Sequence, residues 1–295
     1  MEALCRPTLQ PFLDSSTPYE EARYVVIGAP LDVTVSHRSG TRFAPNAIRY
    51  ESQHMETYSL RTGLDLDDIA LADVGDVKVS DDVQVSLQRI EEMTRLASSS
   101  GKVPVLLGGE HTVTLGALRA LRPDLVVSFD AHLDLRDRLL GLEMSHGTFM
   151  RRAIEELDFR LVSLGCRALS RKELDFAGVN PNRVRVVTAP DLLREGPDLG
   201  IRCVREWLDS ASSAYFSVDM DVVDPASAPA VGNPSPGGIG VSQLLDILEG
   251  TVNGHCRGFD LTEVTPHYDS GLTAIQAAHI VLEAIYLLES ASRRR

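Results

Sequence analysis

Cysteine, aromatic residues and contiguous basic charge are all scarce in this chain. Its 295 residues include four cysteines, one tryptophan and 5% aromatics. Cys5, Cys166, Cys203 and Cys256 lie far apart with no C-x-x-C spacing. They are too sparse for a disulfide framework, which predicts a reducing, cytoplasmic setting. The basic residues form no run except the terminal Arg293 to Arg295, and the formal net charge is -13. Nucleic acid and anionic membranes are therefore disfavoured as partners, and a small cationic molecule suits the field better. No stretch approaches the ~20 consecutive apolar residues of a membrane span. Residues 1 to 20 carry Glu2, Asp14 and Glu20 and lack the basic start and apolar core of a signal peptide.

Hydrophobic residues make up 43% of the chain, enough for a substantial core, and nothing in residues 1–295 reads as a linker, so one domain is expected. Short apolar runs recur at Tyr24 to Ile27, Val103 to Leu107, Leu125 to Phe129, Leu161 to Leu164, Val184 to Val187, Tyr215 to Val218 and Gly258 to Leu261. Such runs suit strands buried on both faces. Helical patterns lie between them, the cleanest being Val83, Leu87, Ile90, Met93 and Leu96 behind Asp81 and Asp82. The alternation predicts an α/β fold with a mostly parallel sheet covered by helices. Leu272 to Leu288 reads as a helix packed deep against the sheet, and Asp224 to Gly240 as a long structured loop after a strand.

Four of the strand ends carry unusual chemistry: LLGGEH ending at His111, SFDAHLD with Asp130, His132 and Asp134, SVDMDVVDP with Asp219 and Asp221, and GFDLTEVTPHYD with Glu263. Parallel strands direct their carboxyl ends into one crevice, so these residues can converge. Side chains two apart in an extended segment share a face, which aligns Asp130, His132 and Asp134, and likewise Asp219 and Asp221. Four aspartates in a partly dry cleft carry a large repulsion and desolvation cost. Two divalent cations would balance them, and carboxylate with imidazole suits Mn²⁺ better than a thiolate-preferring metal. A lone D-x-H would be a capped strand end; the other acid-bearing ends make it more. Gly108 and Gly109 belong to no phosphate-binding loop, and no G-x-S-x-G elbow is present.

Together, LGGEH, FDAHLD, SHGT, SVDMDVVDP, PSPGG and FDLTEVTPHYD, with SGTRFAPNAIR ahead of them, resemble the ureohydrolase family that includes arginase and agmatinase. The resemblance implies a three-layer α/β/α sandwich with a mainly parallel eight-stranded sheet, two Mn²⁺ ions, and homo-oligomers, trimers or hexamers. It further implies that His111, Asp130, Asp134 and Asp219 hold one ion, and Asp130, His132, Asp219 and Asp221 the other. Asp134 would also orient the attacking water. Glu263, by local sequence an ordinary loop acid, would pair with the substrate guanidinium. His146, by local sequence a helix-start histidine, would carry a proton to the departing amine. Glu110 departs from the family pattern, where many members have aspartate; its hydrogen bonding around the metal site is the point in question.

The substrate tail is read from loops. LRDRLLGLEM lacks the Asn/Ser/Thr-rich pattern of arginases, and Ser170 stands where they have an aspartate, so arginine is poorly served. The expectation is agmatine, hydrolysed to urea and putrescine in polyamine biosynthesis, with Arg136 on the loop that meets the tail. Arginine, aminopropylagmatine and guanidinobutyrate are alternatives. Two other classes are a mononuclear zinc deacetylase-like hydrolase, disfavoured by the additional His111, Asp134 and Asp221, and a noncatalytic metal-binding scaffold, disfavoured by His146 and Glu263.

Overall fold

A computed structural model describes residues 3–294; Glu2 and Arg295, used in the terminal readings above, lie outside them. The elements alternate along the chain as β1 Cys5–Arg6, β2 Tyr24–Ala29, α1 Ala44–Ser52, β3 Leu71–Val77, α2 Val83–Ser99, β4 Val103–Gly108, α3 Val113–Leu121 and β5 Leu125–Phe129. There follow α4 Phe149–Glu156, β6 Arg160–Cys166, α5 Arg171–Val179, β7 Val184–Thr188, α6 Ala189–Glu195, α7 Pro197–Leu208, β8 Ala214–Asp219, α8 Val241–Thr251, β9 Cys256–Thr262 and α9 Leu272–Arg293. The strands form one sheet in the order β1-β3-β2-β4-β9-β8-β5-β6-β7. Strands β2 to β9 are parallel, and the two-residue β1 pairs antiparallel with β3 at the edge. The expected eight parallel strands are present, and β1 makes the sheet nine-stranded and mixed.

Alternation of side chains across the pleat builds two cores. Leu125, Val127 and Phe129 of β5 pack with α1 and α6 to α9, while Val126 packs with α2 to α5 on the other face. Helices therefore cover both sides, giving three layers. Asp82 caps α2, accepting from the Gln84 and Val85 amides at 2.8 and 3.2 Å. Its buried stripe runs Leu87, Ile90, Met93 and Ala97; Leu96 points outward, because 3.6-residue periodicity carries the face to Ala97. Helix α9 is long and apolar enough to cross a membrane by length and composition, but 78% of its most apolar window is buried inside the protein.

Strand β3, LADVGDV, is absent from the sequence-based strand set. Its acids are internal partners: Arg49, fully buried on α1, contacts Asp73 at 2.8 Å and also bonds Asp76 at 2.6 Å. Gly28 on β2 leaves room for this pairing, since a Cβ there would lie 1.8 Å from Asp76 Oδ1.

Candidate metal centre

The sheet order sets β4, β9, β8 and β5 side by side, so the four chemistry-bearing strand ends become neighbours. His111 follows β4, Asp130 follows β5, Asp219 ends β8 and Glu263 follows β9. His111 Nδ1 lies 3.1 Å from Asp130 Oδ2, 3.2 Å from Asp219 Oδ2 and 3.4 Å from Asp134 Oδ2. His132 Nδ1 lies 3.0 Å from Asp221 Oδ2 and 3.6 Å from Asp130 Oδ1. Two ligand clusters result, His111–Asp130–Asp219 and Asp130–His132–Asp221, joined through the Asp130 carboxylate. Asp219 stands in the first cluster, and its Oδ1 accepts from the Asp221 amide at 2.8 Å. Asp134 lies at the edge of that cluster, beside His111.

The contacts behind His111 select the tautomer of its neutral ring. Its Nε2 sits 2.9 Å from Ser217 Oγ, which donates to Asp260 Oδ1 at 2.6 Å. With the serine proton committed to the carboxylate, Ser217 oxygen accepts from Nε2–H, so that the neutral ring offers its Nδ1 lone pair on the side of the aspartates. That Nδ1 is buried among three carboxylate oxygens. An imidazole nitrogen converging with three carboxylates is the donor set a divalent cation requires once it displaces the Nδ1 proton, so these residues fit one. Asp260 is itself held by Thr114 Oγ1 at 2.8 Å and the Tyr215 hydroxyl at 2.7 Å. Ser217 and Asp260 carry no signal in the sequence beyond lying inside the quoted motifs.

The electrostatics describe a site short of positive charge. Burial, reinforced by Asp130, pushes Asp134 up to about 7. Burial with Asp221 and Asp130 alongside raises Asp219 well above the carboxylate range. Burial acts in the same direction on Asp130, but His111 and His132 outweigh it and hold that carboxyl low. Burial opposes charge on both histidines, yet the surrounding aspartates raise them. Protons thus occupy places that cations would take.

Glu263 Oε1 accepts the His111 amide at 2.8 Å, and burial pushes its carboxyl up to about 8 against that bond. Both Glu263 and Asp134 have left-handed backbones, φ 67° and 52°, a strain found at functional positions. Gly232 makes space for Glu263, since a Cβ there would lie 2.6 Å from Oε2. His146 is buried, which lowers its pKa; its Nε2 lies 3.1 Å from Ser36 Oγ. These groups line a cavity of about 180 Å³, together with Arg136, Glu173 and Asn233. Arg136 Nε lies 3.6 Å from Glu173 Oε2, and Glu173 caps α5 by accepting from Ser170 N and Oγ. Asp137 pairs with Arg152 at 2.7 Å and is not among the cavity residues.

An α/β protein with two adjoining carboxylate–imidazole clusters at the carboxyl edge of its sheet has the layout of a metal-dependent hydrolase. The model of the Arginase family matches residues 22–286, and the chain belongs to that family. It is a ureohydrolase, acting on linear amidines. It is 35% identical to the guanidinobutyrase of Pseudomonas aeruginosa, over 96% of this chain and 92% of that one. It is 36% identical to an agmatinase of Bacillus subtilis, over 93% and 94% respectively. The crystal structure of the agmatine ureohydrolase of Thermoplasma volcanium superposes with a TM-score of 0.89 at 36% identity, covering 98% of this chain and 97% of that one. The family and the second cluster around His132 displace the mononuclear deacetylase-like and noncatalytic readings.

Proposed function

We propose that this ureohydrolase uses two Mn²⁺ ions to hydrolyse a short linear guanidino compound, agmatine, to urea and putrescine. The observation that carries the binuclear reading is the Asp130 carboxylate, shared between the His111 and His132 clusters. His111, Asp130, Asp134 and Asp219 would hold one ion, and Asp130, His132, Asp219 and Asp221 the other. When bound, such a pair supplies Lewis acidity that activates water near neutral pH. Glu263, on the cavity wall, takes the planar guanidinium and fixes its central carbon. Asp134 accepts a hydrogen bond from the attacking water and so aims it. His146 supplies a proton to the departing amine, whose loss as a free anion is otherwise prohibitive.

A second reading of the tail has its own support. Arg136 brings a guanidinium to the cavity, 40% exposed and paired with Glu173 at 3.6 Å. An ammonium tail meets repulsion there and a carboxylate meets a fork, which favours 4-guanidinobutyrate. The test is urea release by Mn²⁺-loaded protein from agmatine, 4-guanidinobutyrate, aminopropylagmatine and arginine, compared by kcat/KM. Preference for agmatine supports the first reading and preference for 4-guanidinobutyrate the second. Preference for arginine overturns both, and silence toward the whole panel overturns the reaction.

A further inference from the structure

Glu110 is completely buried one position before His111. Its carboxylate accepts four hydrogen bonds: from Val33 N at 2.6 Å, Thr34 N at 2.7 Å, Thr34 Oγ1 at 2.6 Å and Thr112 Oγ1 at 2.6 Å. It therefore ties the segment leaving β2 to the start of α3. The backbone reinforces the tie, with Gly109 N donating to Ala29 O and Glu110 N to Leu31 O, both at 2.8 Å. Only glycine permits this approach at 109, because a Cβ would lie 2.0 Å from Leu31 O.

The tied segment reaches His146 at two points. The His146 amide donates to Thr34 Oγ1 at 3.0 Å, and its Nε2 lies 3.1 Å from Ser36 Oγ. Because a carboxylate only accepts, the Thr34 proton is committed to Glu110 and its lone pair is left to receive the His146 amide. The hydroxyl cannot rotate away without breaking two bonds.

We propose that Glu110 and Thr34 form a clamp that positions His146 for proton delivery to the leaving amine, both acting as positioning residues rather than touching substrate. The role of His146 in this statement rests on the function proposed above. Thr34→Val keeps the shape of the side chain and removes the hydroxyl. Misplacing a proton donor by a fraction of its reach costs on the order of 10- to 100-fold, so kcat should fall by about that factor with KM and metal content little changed. Thr34→Ser restores the hydroxyl and should recover most of kcat. Glu110→Asp should lower kcat in the same sense.

Amide hydrogen exchange at His146 provides a reading independent of turnover: it accelerates in Thr34→Val and returns toward the wild-type rate in Thr34→Ser. Unchanged exchange at His146, or a variant whose loss lies in KM with kcat intact, overturns the clamp. Should wild-type protein release no urea, the proposed reaction fails, and the exchange rates alone decide whether Thr34 holds His146.

Discussion

Replacing Ser217 with alanine tests whether the His111 tautomer is set from behind. The hydroxyl receives His111 Nε2–H at 2.9 Å and passes its own proton to Asp260 at 2.6 Å. Without it, a buried N–H loses its acceptor, at about 1–3 kcal/mol. The ring can escape that cost by moving its proton to Nδ1, which faces Asp130, Asp134 and Asp219 and is the nitrogen required for the cation. Either way the cost falls on metal binding. Changes behind a ligating histidine reduce metal affinity about 10- to 100-fold, and that range corresponds to ~1.4–2.8 kcal/mol. The two figures overlap, as they should if one hydrogen bond accounts for both. Asp260 keeps Thr114 and Tyr215, so the fold should survive. Competitive titration of Mn²⁺ against a fluorescent chelator reads the effect directly. Folded Ser217→Ala protein with affinity unchanged to within about twofold refutes the tautomer argument.

Three further outcomes follow from the geometry. Arg136→Gln should lower kcat/KM for 4-guanidinobutyrate by about tenfold or more while sparing or improving agmatine, if the carboxylate reading of the tail holds; equal changes for both substrates would remove Arg136 from tail recognition. Gly28→Ala drives a Cβ into Asp76 and loosens the buried Arg49 network, so the thermal midpoint should drop by several degrees for a loss of about 1–3 kcal/mol, and an unchanged midpoint contradicts that packing. In metal-free protein, Asp134 is raised to about 7 and Asp219 is also raised. Folded carboxyls with raised pKa values stabilise fully below the unfolded value near 4 and lose that contribution as pH rises through 7. Metal-free stability should therefore fall, and Mn²⁺ affinity rise, across pH 5 to 8, with calorimetry in buffers of different ionisation heat showing protons released on binding; no proton release contradicts it.

The candidate ligands were legible in the sequence because each lies within a few residues of a strand end; their placement was not, since bends at Ala131 and His132, the left-handed backbone of Asp134 and the 3-10 turn Met220–Val222, rather than extended alternation, bring Asp134 and Asp221 to the site. The parallel sheet was legible for a similar reason: its central strands are continuous apolar runs. Strand β3 was not, because Asp73 and Asp76 look like loop acids until Arg49 arrives from α1 to pair with them. Leu96 looked like core because a one-residue error in helical phase is invisible in a short stripe. Thr34, Ser217 and Asp260 were missed for a deeper reason. They act through other residues, and a hydroxyl that fixes a histidine has the same local sequence as one that fixes nothing.

The binuclear hydrolase is tested most directly by urea production, measured as metal-stripped protein is titrated with Mn²⁺ in the presence of the preferred guanidino substrate. Negligible urea is expected without metal, with a rate that rises until two ions are bound per chain. A plateau at one ion, or urea production indifferent to metal, would contradict it.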